Sequence, residues 1–149
     1  MKIEGRLPFN APPETVWKLL LDPEVMARCI PGCQELKEVG PDEYSARLKV
    51  GVGPVSGAYS GRIRITEQQP TSRYVMAVDA TGAQGFVKGS GEIVLEPVGT
   101  ATAVVYRCDL EVGGPLMSVG HRMLEGVGTF LVKQMFSRLQ SQAEGSASR

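Results

Sequence analysis

The sequence predicts an α+β fold: a curved antiparallel sheet of about seven strands around one long C-terminal helix, with two short helices after the first strand. Three observations carry this. Apolar residues recur at every second position from Cys33 to about Val112, interrupted only by turn signals. A helical period takes over after Gly113-Gly114-Pro115 and runs to about Ala143. Between Asn10 and Gly32 lie two short helical patterns, each opened by proline. With 149 residues the chain suits one domain over 1–144, followed by a frayed tail at 145–149.

The elements follow in order. Ile3, Gly5, Leu7 and Phe9 alternate with Glu4, Arg6 and Pro8, a half-buried first strand. Asn10-Ala11-Pro12-Pro13-Glu14 reads as an Asn cap, early prolines and an acid in the first turn. The helix Glu14–Leu21 then carries Val16, Trp17, Leu20 and Leu21 on one face, and Asp22-Pro23-Glu24 starts a second helix that Pro31-Gly32 ends. Strands are expected at Gln34–Val39, Glu43–Val50, Val55–Glu67, Arg73–Ala80, Gly85–Glu96 and Thr100–Val112. Their short connections make an antiparallel meander the simplest topology. Pro115 suits the first position of the last helix. On a wheel of about 100° per residue, Leu116, Val119, Gly120, Met123, Leu124, Val127, Phe130, Leu131 and Met135 share its apolar face.

Composition excludes several functions. Lys plus Arg equals Asp plus Glu at 16 each, with no basic run, which argues against a nucleic-acid partner. No stretch of about 18 apolar residues is present, and the first residues lack a signal-peptide core. Cys29, Cys33 and Cys108 are an odd number in a chain with ample core, and read as reduced thiols of a cytoplasmic protein.

The inward strand positions are rich in small residues. Val55, Gly57, Tyr59, Gly61, Ile63 and Ile65 share one face, as do Val87, Gly89, Gly91, Ile93 and Leu95. Glycines there serve sheet curvature or leave a hollow. Gly120, Gly126 and Gly128 fall within the expected last helix, each costing roughly 1 kcal/mol relative to alanine, and favour the hollow. An apolar cavity is therefore expected, lined by Leu48, Val50, Tyr59, Ile63, Met76, Gly89, Gly91, Tyr106, Met117, Gly120 and Leu124.

Four groups of segments share a wider pattern. They are Pro12-Pro13-Glu14-Thr15-Val16-Trp17-Lys18-Leu19-Leu20-Leu21-Asp22-Pro23-Glu24; Cys29-Ile30-Pro31-Gly32-Cys33; Val50-Gly51-Val52-Gly53-Pro54-Val55-Ser56-Gly57 with Tyr59-Ser60-Gly61; and Gly89-Ser90-Gly91-Glu92 with Leu95, Gly99-Thr100 and Gly113-Gly114-Pro115-Leu116. On these residues the chain resembles the CoxG family, the G subunits of carbon monoxide dehydrogenase, within the START-like, pollen-allergen-like (SRPBCC) superfamily. The resemblance implies a helix-grip fold that binds lipophilic molecules. It also implies a non-catalytic accessory protein of a molybdenum-containing dehydrogenase, which handles a quinone-like acceptor and recruits that enzyme to the inner face of the membrane. Longer members carry a C-terminal extension that can attach to the membrane, a route not expected for a sequence ending at Arg149.

No catalytic constellation emerges. His121 and Glu125 share a helix face but are too few for a zinc site. Cys29 and Cys33 form C-x3-C, not C-x-x-C, and small core residues are the simpler reading. Gly51-Val52-Gly53-Pro54 lacks the lysine of a phosphate loop. No cofactor is expected. An enzyme of the same superfamily would need a cavity-facing group, for which Tyr59 and Tyr106 stand out. Val132, Phe136 and Leu139 lie beyond the apolar stripe, where they either pack on the first two helices or form a contact for a membrane or partner; Val132 leans to packing and Phe136 to contact. An assembly protein with a filled core remains the other reading.

Overall fold

Strand alternation builds the edge from which the sheet is counted. In the computed structural model, which describes residues 1–147 and side chains through Gly145, β1 (Lys2–Phe9) buries Ile3 and Phe9 and turns Lys2, Glu4, Arg6 and Pro8 to solvent. The helices α1 (Pro13–Leu20) and α2 (Pro23–Cys29) follow. Asn10 does not cap α1: Pro12 is the capping residue and contributes no side-chain bond. Asp22 does cap α2, its Oδ1 accepting from the Glu24 amide at 2.9 Å.

Six strands then run as a meander, β2 (Cys33–Gly40), β3 (Glu43–Val50), β4 (Gly57–Gln69), β5 (Arg73–Gly82), β6 (Gly85–Val98) and β7 (Ala101–Gly113). The seven-stranded sheet has the order β1-β7-β6-β5-β4-β3-β2, antiparallel throughout, so only β1 departs from sequential pairing. Val55 is not part of β4. Gly53 takes φ +48° and Gly53–Val55 forms a single 3₁₀ turn before the strand resumes at Gly57.

The last helix also starts later than the sequence indicates. Gly114–Val119 is a 3₁₀ segment, and Gly120, at φ +100°, separates it from α3 (His121–Ala147). Right-handed helix cannot pass through that conformation. The frayed tail expected at 145–149 does not begin at Gly145, because α3 continues to Ala147; Ser148 and Arg149 lie outside the described residues.

The face buried by α3 differs from the one read off the wheel. Phe136, Leu139 and Ala143 are core residues, with Val132 and Met135 packed against that core. Met123 and Phe130 are instead exposed, at 53% and 52%. The buried stripe thus occupies the second half of the helix, whereas His121 and Glu125 hold its continuation in the first turns. These two side chains are exposed and meet at 3.1 Å. The helix follows β1: a Cβ on Gly128 would stand 2.8 Å from Ile3 Cδ1, and Gln140 Nε2 donates to the Pro8 carbonyl.

Two ring pairs tie the helices to the sheet. Tyr106 stacks on Phe136 with centroids 4.2 Å apart, and Trp17 of α1 meets Tyr74 edge-on at 5.6 Å. On the convex side, Arg73 pairs with Glu67 and Glu92, Arg62 with Glu43, and Arg107 with Glu4. Such pairs at a solvated surface contribute little each.

Candidate functional site

The concave side of the sheet and the helices bound a cavity of about 280 Å³ that is partly open to solvent. Its floor follows from strand alternation: Tyr74, Met76, Val78 and Ala80 face inward from β5, while Asp79 between them is exposed. β3 and β4 add Ala46, Leu48, Gly61 and Ile63, and β6 and β7 add Val87, Gly91, Ile93, Cys108 and Leu110. The roof comes from Leu20, Met26, Cys29 and Ile30 at one side and Val132, Met135, Phe136 and Leu139 of α3. No residue of α3 before Val132 lines it. Its lining residues on β5 extend from Tyr74 to Ala80, about 20 Å of extended chain.

Some expected lining residues fall here and others do not. Leu48, Ile63, Met76 and Gly91 line the cavity. Val50 ends β3 outside it, and Leu124 lies half-buried on the uncovered part of α3. Met117 is 66% exposed on the 3₁₀ segment, and Gly120 borders open space. Tyr59 is buried, but its hydroxyl donates to the Val55 carbonyl at 2.7 Å and so anchors the turn before β4. Tyr106 belongs to the core beside the cavity, where its ring packs over Gly5, a position with no room for a Cβ.

The glycines divide in the same way. A Cβ at Gly89 would lie 2.0 Å from the Asp109 carbonyl oxygen, and one at Gly61 would lie 2.6 Å from that of Asp79. Both positions serve close strand approach, so Gly89 is a curvature residue rather than a wall residue. Gly91 differs: its nearest neighbour is the Cys108 Sγ at 3.3 Å, a side chain that can turn aside. Gly91 is flanked across the sheet by Met76 and Cys108, which places it at the middle of the cavity floor.

Val132, Phe136 and Leu139 are not an outward contact surface. Phe136 and Leu139 are 3% and 5% exposed, and all three form the cavity roof. The wheel misplaces them because it assumes one buried stripe along the whole helix, whereas α3 is covered mainly from Val132 onward.

Arg62, Asp79 and Ser90 border the cavity but are exposed, and the rest of the wall is apolar save at one point. Burial raises the Cys29 and Cys108 thiols, so neither is a ready thiolate. The Cys33 S–H donates to the Glu35 carbonyl at 3.6 Å, and burial raises its thiol too. Among the described residues, no group of three or more His, Cys, Asp and Glu could hold a metal ion, and no helix is long and apolar enough to cross a membrane. The exception is Tyr74, which sequence reasoning passes over. Alternation from Arg73 places it inward with Met76, but its interest depends on what surrounds its hydroxyl.

Proteins of known sequence and structure share this architecture. The family model for the G subunit of carbon monoxide dehydrogenase (CoxG) matches residues 5–144. A conserved protein from Geobacillus kaustophilus is similar at 34% identity and a TM-score of 0.94, over 98% of this chain and 97% of that one. A START superfamily protein from Mycobacterium smegmatis shares the fold at 12% identity and a TM-score of 0.76, over 97% of each chain. So does a protein of Thermus thermophilus, at 15% identity and a TM-score of 0.73, over 98% of this chain and 99% of that one. No curated protein matches the sequence.

Proposed function

The chain belongs to the CoxG family of carbon monoxide dehydrogenase, and on that basis we propose that it is a lipophilic-ligand carrier serving a molybdenum-containing dehydrogenase. Membership implies association with carbon monoxide dehydrogenase in an accessory role rather than a catalytic one. The finer reading is that the protein holds a quinone-like molecule and thereby assists electron transfer or recruitment of the enzyme to the membrane. The observation that carries it is the cavity of about 280 Å³, whose wall is almost wholly carbon and sulfur. That volume lies close to the lower end of ligand pockets, about 300–1,000 Å³, and an elongated apolar shape suits a compact ring with part of a hydrocarbon tail. Burial of that hydrocarbon supplies affinity at about 25 cal/mol per Å². The same open volume weighs against an assembly protein with a filled core.

An enzyme reading has less to work with. The cavity-side positions of β5 are Tyr74, Met76, Val78 and Ala80, and the Asp79 carboxylate belongs to the solvated face. The Tyr59 hydroxyl is engaged by the Val55 carbonyl, and neither Tyr59 nor Tyr106 lines the cavity.

For membrane contact, the exposed side of α3 replaces Val132, Phe136 and Leu139. Met123 and Phe130 stand seven positions apart on one face, flanked by exposed Arg122, Lys133 and Arg138. Met117 is exposed beside Leu116, whose amide donates to Gln84 at the β5–β6 turn, the Ala80 end of the cavity. Apolar residues bordered by cations fit the surface of an anionic bilayer. Phe130→Glu is expected to lower co-sedimentation with vesicles containing anionic phospholipid by about tenfold, about 1.4 kcal/mol, and to leave ligand retention intact. Equal sedimentation of both proteins would reject this surface.

A further inference from the structure

We propose that Tyr74 is the polar anchor of the cavity, donating a hydrogen bond from its hydroxyl to a carbonyl oxygen at the head of the bound lipid; this rests on the carrier reading above. Three observations support the assignment. Tyr74 is 3% exposed and lines the cavity at its α1–α2 end. No described residue hydrogen-bonds its hydroxyl, in contrast to Tyr59, and only desolvation acts on its titration. Every fully enclosed side-chain nitrogen or oxygen among the described residues has a partner. The Tyr74 oxygen therefore keeps some accessible area, and of the buried tyrosines whose hydroxyls have no partner among the described residues Tyr74 is the one that lines the cavity.

A buried hydroxyl without a partner is costly, so such groups in a folded protein mark a missing water or ligand. A lone water would find few polar partners here, since ordered buried waters take about three. A ligand carbonyl satisfies the hydroxyl while its hydrocarbon satisfies the rest of the wall. The phenol stays protonated through the physiological range because burial opposes its anion, so it remains a donor. Its orientation is held by the Trp17 edge contact. The ligand thus has its acceptor at the Tyr74 end and its apolar chain along β5 towards Ala80. Because a phenol both donates and accepts, the same group also holds the hydroxyl of a reduced head.

The test compares Tyr74→Phe with the unaltered protein on two probes of equal size, a 2-alkyl-1,4-naphthoquinone and the matching 2-alkylnaphthalene. Affinity for the quinone is expected to fall about tenfold, the value of a good neutral hydrogen bond, with affinity for the hydrocarbon unchanged. The unliganded Tyr74→Phe protein is expected to melt at the same temperature or higher, because the lost hydroxyl had no partner. Equal losses for both probes, or none for either, would overturn the anchor and leave the cavity standing. Failure of the unaltered protein to bind either probe would overturn the carrier reading, and the anchor with it.

Discussion

Gly91→Leu is expected to abolish ligand retention while the protein stays folded. Gly91 lies between Met76 and Cys108 on the cavity floor, and what its Cβ would meet first is the Cys108 side chain at 3.3 Å. Its backbone has no need of glycine, since its φ lies outside the positive region. The new side chain therefore grows into open volume. If it displaces about 100 Å² of ligand contact, at roughly 25 cal/mol per Å² affinity falls by about 2.5 kcal/mol, close to a hundredfold. Filling empty apolar space and replacing a strand glycine both favour the unliganded fold, so its melting temperature should hold or rise. Isothermal titration with a short-chain quinone, paired with a melt, reads both quantities. Undiminished affinity in a protein with an unchanged melt would reject the cavity as the binding site. Gly89→Leu cannot serve for this purpose, because its Cβ would meet backbone at 2.0 Å.

Phe136→Ala is expected to cost about 3–5 kcal/mol, the range for deleting a buried phenyl group. The ring is 3% exposed and stacks on Tyr106. For a domain of this size that corresponds to a fall in melting temperature of roughly 10 °C or more. Phe130→Ala, on the solvent side of the same helix, should stay within about 0.5 kcal/mol. Thermal denaturation of the two variants checks the orientation of α3 directly. Equal destabilisation by both would contradict the burial of Phe136 and the exposure of Phe130.

The contrast between these phenylalanines shows where sequence reasoning succeeds. Period-two alternation locates every strand within a few residues, because each strand has one wet face and one dry face, as Arg62 and Ile63 illustrate. It also places Leu48, Ile63, Met76 and Gly91 on the concave side. The long helix is harder. A single wheel assumes that one side is buried along its whole length, yet α3 is covered by the sheet and the short helices mainly from Val132 onward. In its first turns Met123 is exposed on one side and the His121–Glu125 pair on another, so the apolar residues there do not report the core.

Glycine poses a second problem of the same kind. Gly89 and Gly91 are two residues apart on one strand and carry the same pattern signal. One is required by a carbonyl 2.0 Å from its absent Cβ, and the other only by a thiol. That difference is how closely the β7 backbone approaches each position, which no spacing rule encodes. The tyrosines are hard to rank for a related reason. Tyr59 finds Val55 because a 3₁₀ turn precedes the strand, whereas no described residue hydrogen-bonds the Tyr74 hydroxyl.

Native mass spectrometry decides whether the cavity holds an apolar ligand. The purified chain is first incubated with vesicles containing a long-chain quinone and then separated from them. A carrier emerges with a stoichiometric adduct of the quinone mass, and the adduct is lost on Gly91→Leu. A bare protein mass after that exposure would refute the carrier reading.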